Sequence, residues 1–144
     1  MTLDISLTQD LGICHALRRV VFIEEQNVPE EIEIDGKDAE ALHLLARLEG
    51  RPVGCARVLV LEETGKIGRV CVLQDMRGQG VGVALVQAAL EVLRAQPGVT
   101  RAKLGAQTHA IGFYEKLGFL PHGQTYLEAG IPHQDMILDF SVSS

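Results

Sequence analysis

A change of period near the middle of the chain constrains its fold more than any other feature. From Ala41 to Val72 the apolar residues come in short, partly β-branched runs. After Gly80 they fall at Val81, Ala84, Leu85, Ala88, Ala89 and Val92, the spacing of one helical face. Pro97-Gly98 stops that helix. A strand therefore hands over to an amphipathic helix through Arg77-Gly78-Gln79-Gly80-Val81-Gly82, which calls for an α/β arrangement. Amide N–H groups at such a helix start favour an anion, glycines without Cβ let a pyrophosphate approach the backbone closely, and Arg77 adds a positive charge beside it. A glycine-rich turn that only reverses the chain is the alternative reading.

Spacing separates this loop from two better-known phosphate cradles. A P-loop needs GxxxxGK[ST], and no Lys-Ser or Lys-Thr pair follows these glycines. A dinucleotide fingerprint needs GxGxxG, but the third position is Val83 counted from Gly78 and Leu85 counted from Gly80. The loop also lies in mid-chain, after several strands, whereas the dinucleotide version opens a βαβ unit.

Around this centre the chain divides into short elements. A strand-like start at Leu3–Ser6 precedes a stretch from Thr8 to Gln26 with helical spacing at Leu11, Cys14, Leu17, Val20 and Val21. The acidic segment Pro29–Glu40 reads as an exposed loop with room for a short helix. Ala41–Leu48 and Val53–Leu61 form a hairpin around Glu49-Gly50-Arg51-Pro52, and a third strand is expected at Lys66–Val72 after a turn at Glu62–Gly65. Beyond the central helix come a strand at Val99–Ala106, a helix capped by Thr108 and closed at Gly118, and strands Phe119–Leu127 and His133–Phe140 around a turn at Glu128–Pro132. The expected fold is a single α/β domain over residues 1–144, with a mixed central β-sheet flanked by helices.

Composition narrows the functional classes. With 144 residues and 47% hydrophobic content there is material for one packed core and no second full domain. A net charge of −6 without a clustered basic face argues against a nucleic-acid partner. No apolar run approaches the ~18–20 residues of a membrane span, and Met1-Thr2-Leu3-Asp4 lacks the basic-then-apolar pattern of a signal peptide, so a cytoplasmic protein without a membrane partner is expected. Cys14, Cys55 and Cys71 are widely spaced in apolar surroundings and read as buried free thiols. Asp35, Asp38 and His43 show no recognised ligand spacing, so no metal is expected.

Two motifs in order carry a family resemblance. Arg77–Gly82 follows a strand, and Phe113-Tyr114-Glu115-Lys116-Leu117-Gly118-Phe119 follows about thirty residues later. The ordered pair resembles the GNAT acetyltransferases. Arg18–Gln26, the Asp35/Asp38/His43 stretch and Gly130-Ile131-Pro132-His133 look like the ElaA/YjcF-like branch, so the resemblance covers nearly the whole chain. It implies the GNAT (acyl-CoA N-acyltransferase) fold and transfer of an acetyl group from acetyl-CoA to an amine of a small molecule or peptide. By position it implies pantetheine contacts at Cys71 and Val72, with Gly78, Gln79, Gly80, Val81, Gly82 and Val83 on the pyrophosphate. One such N–H can polarise the thioester carbonyl. Gln107 stands where many members carry Asn against the cofactor, and keeps amide donors and an acceptor. Many members pair, which makes a homodimer an expected partner arrangement. An acyl-CoA-binding sensor or interaction module on the same fold, without catalysis, is the alternative function.

The chemistry asks for a base and an acid. A Lys-type amine with a pKa near ~10.4 is mostly protonated at neutral pH and must lose a proton before or during attack. His133, an imidazole after the Gly130-Ile131-Pro132 turn, is the candidate base, with Glu24, Glu25 or Glu128 acting through water as competitors. His43 reads as a packed strand residue and His109 as lying beside the cofactor. Tyr114 is the candidate donor to the departing thiolate, because the family's tyrosine at this place lies near the thioester sulfur; a core aromatic on the Ile111/Tyr114/Leu117 face is its other reading. By strand alternation Arg69 projects to the side of Cys71 and is a candidate to grip a substrate carboxylate, as is Arg18 on the first helix; an outward salt-bridged arginine is the alternative for Arg69. No activated nucleophile stands out, which favours direct attack in a ternary complex over an acyl-enzyme.

Overall fold

The computed structural model describes residues 2–140. Seven strands form one sheet: β1 (Leu3–Thr8), β2 (Leu42–Leu48), β3 (Arg51–Leu61), β4 (Thr64–Val72), β5 (Arg101–Gln107), β6 (Leu120–Glu128) and β7 (Ile131–Asp139). They lie in the order β1-β2-β3-β4-β5-β7-β6. Neighbours are antiparallel except β4 and β5, which run parallel. The helices are α1 (Leu11–Arg18), α2 (Glu30–Glu33), α3 (Val81–Arg94) and α4 (Ile111–Glu115).

The apolar stripe of α3 packs Val81, Leu85, Val86, Ala89, Leu90 and Leu93 onto Ala46, Val53, Val58, Ile67 and Leu104 of the sheet. Each fully buried Leu or Val contributes about 1.5–3 kcal/mol, so this layer holds most of the apolar stabilisation. On the other face Cys14, Leu17 and Val21 cover Leu45, Cys55 and Cys71 in a smaller cluster. All three cysteines are buried and free, as their surroundings suggest.

Several boundaries differ from the expected ones. The helix read through to Gln26 stops being α-helical at Arg18; Arg19–Glu25 is π-helical, and Gln26 N–H reaches back five residues to Val21 O (3.1 Å). The turn between β3 and β4 is shorter than Glu62–Gly65, because β4 already begins at Thr64. Thr108 opens a 3-10 turn without a side-chain cap, and α4 follows as one short turn. The last hairpin turns at Ala129-Gly130, both at positive φ (53° and 76°), the geometry that matches the twist of two antiparallel strands. His133 is therefore the third residue of β7 rather than its first.

What positions the site is the failure of two neighbours to stay together. β4 and β5 pair only where Thr64–Lys66 meets Arg101–Lys103; beyond that point neither strand finds the other. Where they part, β4 bulges: Arg57 pairs with Gly68 and Cys55 with Cys71, so Arg69 and Val70 together oppose Ala56. Arg69 sits at φ +51°, a left-handed conformation that costs about 1–2 kcal/mol for a non-glycine residue.

Candidate active site

The glycine loop opens α3 as the sequence suggests. Gly78 (φ +80°) and Gly80 (φ +83°) are left-handed, and a Cβ on either would meet nothing within 4 Å, so their outer side is open. Ala84 N–H makes the first helical bond, to Gly80 O (3.0 Å), which leaves the N–H groups of Val81, Gly82 and Val83 without a helical acceptor. These donors and the dipole of a fourteen-residue helix suit a diphosphate. Gln79 is exposed on the same loop. Arg77 departs from expectation: its guanidinium holds Glu25 in two bonds (2.6 and 2.8 Å) and donates Nε to Val72 O (3.0 Å). Its charge is matched within the protein, and Glu25 is held below the ordinary carboxylate range by that hydrogen bonding. Arg77 ties the π-helical segment to the loop instead of standing free beside an anion.

The parted strands border a cavity of about 640 Å³, a volume typical of small-molecule sites. A smaller space of about 70 Å³, also lined by Phe22, Gln26 and His133, adjoins it. Val72 and Cys71, paired in the sequence reading, separate here. Leu73 N–H donates to Val53 O (2.9 Å), so antiparallel alternation turns the N–H and C=O of Val72 away from β3; the C=O accepts from Arg77 Nε, and the N–H is the group left facing the opening. The Cys71 carbonyl instead faces β3, 2.6 Å from where a Cβ on Gly54 would lie. Its thiol is packed 3.5 Å from Cys55 Sγ, so Cys71 offers neither backbone nor sulfur to the opening.

His133 lines both spaces. Its Nδ1 lies 2.7 Å from Ile131 O. A carbonyl only accepts, so Nδ1 carries the proton, and in the neutral ring Nε2 is left with its lone pair. Glu128 Oε2 stands 4.0 Å from Nε2, placed to pair with the ring when it is protonated. Tyr114 lines the larger cavity, with its ring packed edge-on against Phe113 and Phe119, so it is at once a packed aromatic and a cavity residue. Burial raises its phenol above the ordinary value, which keeps the hydroxyl protonated as a donor. Gln107 also borders both spaces, but its amide is engaged: Nε2 donates to Gln26 Oε1 (2.9 Å) and Oε1 lies 2.7 Å from His109 Nε2.

The two arginines expected at the substrate are built into the wall. Arg18, 1% exposed, donates to Glu33 (2.7 Å) and Asp38 (2.9 Å) and borders neither space. Arg69 does border the cavity, yet it donates to Glu33 (2.8 Å), Asp35 (3.3 Å) and two backbone carbonyls. Arg57 closes the circuit through Asp35 (2.8 Å) and Asp38 (3.2 Å). Three arginines and three carboxylates thus alternate in a ring that joins α1, α2, the loop after it, β3 and the bulge of β4. Hydrogen bonding from Arg57 holds the Asp35 carboxyl down to about 2. Burial alone would raise Asp38, but bonds from Arg18 and His15 hold it well below the ordinary range. Arg18 is closed off inside this ring, whereas Arg69 spends Nε and Nη2 in it and keeps Nη1 without a partner among the described residues. Asp35, Asp38 and His43 belong to the same framework, His43 through its bond to Asp38 O (2.9 Å). Among the described residues no group of His, Cys, Asp and Glu forms a metal cage.

Sequence reasoning missed Tyr126, Asp135 and Gly105. Tyr126 stacks on His133 (5.8 Å between centroids) and donates its hydroxyl to Asp135 (2.7 Å). Burial and the Asp135 carboxylate raise its phenol above the ordinary range. A Cβ at Gly105 would come within 2.6 Å of that hydroxyl, so the glycine provides the space in which Tyr126 lies across β5. Only the charged Arg57 inside an apolar strand was a readable signal, since a buried guanidinium demands partners.

Comparison with known proteins agrees with this geometry. The Acetyltransferase (GNAT) domain family model matches residues 12–140. The chain is 40% identical over 124 residues to the uncharacterized N-acetyltransferase YjcF of Bacillus subtilis (strain 168), covering 85% of this chain and 88% of that protein. The crystal structure of Escherichia coli ElaA superposes with a TM-score of 0.85 at 32% identity, covering 96% of this chain and all of that one. A GNAT family acetyltransferase from Elizabethkingia anophelis, solved with acetyl-CoA bound, shares the fold at a TM-score of 0.74 and 17% identity, covering 95% of this chain and 97% of that one. With the family model matched over most of its length and relatives at up to 40% identity, the chain belongs to the GNAT acetyltransferase family.

Proposed function

We propose that this protein transfers the acetyl group of acetyl-CoA to an amine by direct attack in a ternary complex. The observation that carries the reading is the parting of β4 and β5, where His133 and Tyr114 line the cavity and the first turn of α3 packs beside Val72 at the end of β4. The relative solved with acetyl-CoA bound supports the same co-substrate here. In this reading the N–H groups of Gly78–Val83 hold the diphosphate and Val72 pairs with the pantetheine arm. His133 Nε2 accepts the proton of the attacking amine, a step worth about 10²–10⁴ in rate. Glu128 then balances the imidazolium. The Tyr114 hydroxyl donates a hydrogen bond to the departing thiolate; with its pKa raised it stabilises the sulfur better as a donor than by giving up the proton outright. The buried, strand-bound Cys71 gives no support to an acyl-enzyme. A cytoplasmic location goes with this reading; among the described residues no helix is long and apolar enough to cross a membrane.

Release of coenzyme A thiol, followed with acetyl-CoA and a panel of primary amines, tests the proposal. Amine-dependent release with the acetylated amine identified by mass is the expected result. Tight acetyl-CoA binding with no release for any amine would sink catalysis and leave the sensor reading.

A further inference from the structure

The lining of the cavity reverses the charge balance of the chain. Overall there are 13 Lys and Arg against 19 Asp and Glu. The cavity is lined by five of the former and only three of the latter. Arg57 and Arg69 are used in the ring, and Lys103 leans toward Asp135 (3.6 Å). The ammonium groups of Lys37 and Lys66 have no side-chain or carbonyl partner among the described residues.

Lys66 and Lys103 are register partners in the last paired stretch of β4 and β5, at the closed end of the cleft. Their strand neighbours Gly65 and Ile67, and Ala102 and Leu104, pack toward α3, so both lysines leave the sheet on the open side with Arg57, His133 and Asp135. Like charges in neighbouring register positions destabilise a sheet, and Asp135 offsets only Lys103, so folding gives no reason for Lys66 beside it. The diphosphate of the co-substrate does not supply one either. In the reading above it sits beyond Val72, six strand residues or about 20 Å from Lys66. His133 is opposite Gln107, and Lys103 lies four residues along β5 from Gln107, about 13 Å away.

We infer that the acceptor is a primary amine carrying an anionic group, a carboxylate or a phosphate, about 10–13 Å from the reacting nitrogen, with Lys66, Lys103 and Lys37 receiving that group. This rests on the acetyl-transfer reading. An extended tripeptide has the required span, its α-amine at His133 and its terminal carboxylate at the lysines.

The test compares kcat/KM for triglycine, triglycinamide and an aminoalkyl phosphate of equal span, with wild-type protein and with Lys66→Glu. Preference for the acid or the phosphate over the amide by about tenfold, expressed mainly in KM and shrinking as salt is raised, is expected; whichever anion leads identifies its source. In Lys66→Glu the ratio falls to about one or inverts, while an unchanged melting temperature shows that the exposed substitution leaves the fold intact. Equal use of acid, phosphate and amide by wild type, or the same ratio in the variant, overturns the inference and leaves acetyl transfer standing. No transfer to any amine overturns both.

Discussion

His133 owes its place to three neighbours rather than to its own strand. Ile131 O fixes which nitrogen carries the proton, Tyr126 fixes the ring plane, and Glu128 waits 4.0 Å from Nε2. A base is needed only while the amine is protonated, so its worth shrinks as pH approaches the amine's own pKa. His133→Gln should therefore lower kcat/KM about 10²–10³-fold at pH 7, with the gap to wild type narrowing steadily toward pH 9.5. A ratio constant across that range would assign His133 a packing role. The histidine and Tyr114 were legible by residue type and motif. Tyr126 and Gly105 were not, because what joins them is a contact between β5 and β6, which are not even neighbours in the sheet.

At the scale of elements, the bulge in β4 and the π-helical turn after α1 are the irregular pieces, and the ion-pair ring fastens them. The ring offsets the strain at Arg69 and keeps the wall of the cavity from collapsing onto the opening. Asp35 shows the linkage sign clearly. Its folded pKa of about 2 lies below the unfolded value, so the stabilisation it brings is complete above pH ~5 and is lost as pH falls toward 2. Allowing for solvent screening, this amounts to about 1–2 kcal/mol. Asp35→Asn should lose about 1–3 kcal/mol at pH 7, because the buried Arg57 then keeps only its longer bond to Asp38, and should weaken less than wild type between pH 5 and 2. Urea unfolding across that pH range measures both, and parallel pH profiles would show that the pair is not what acid titrates. Sequence placed the strand that carries the bulge closely, at Lys66–Val72 against Thr64–Val72, but ran the first helix on to Gln26. It could not show the break in α1, which depends on where Gln26 and Val28 find acceptors rather than on apolar spacing.

At the scale of the whole molecule, the cleft is a gap that the fold holds open, with α3 on one side and the ring on the other. Binding there acts on the native state alone, so acetyl-CoA at about 100 times its Kd should add about 2.7 kcal/mol and raise the melting temperature by roughly 5–10 °C. A thermal scan with no such rise would remove the co-substrate from the site. By itself the sequence determined what is local: the glycine turn, the apolar face of α3, the short β-branched strands, the order of the elements and the family. The tertiary structure decided which charges are available. Arg18, Arg69 and Arg77 looked like ligand-binding groups along the chain, but each is held by a carboxylate distant in sequence, at Glu33, Asp35, Asp38 or Glu25. Periodicity records which way a side chain points; only the closed fold records what it meets.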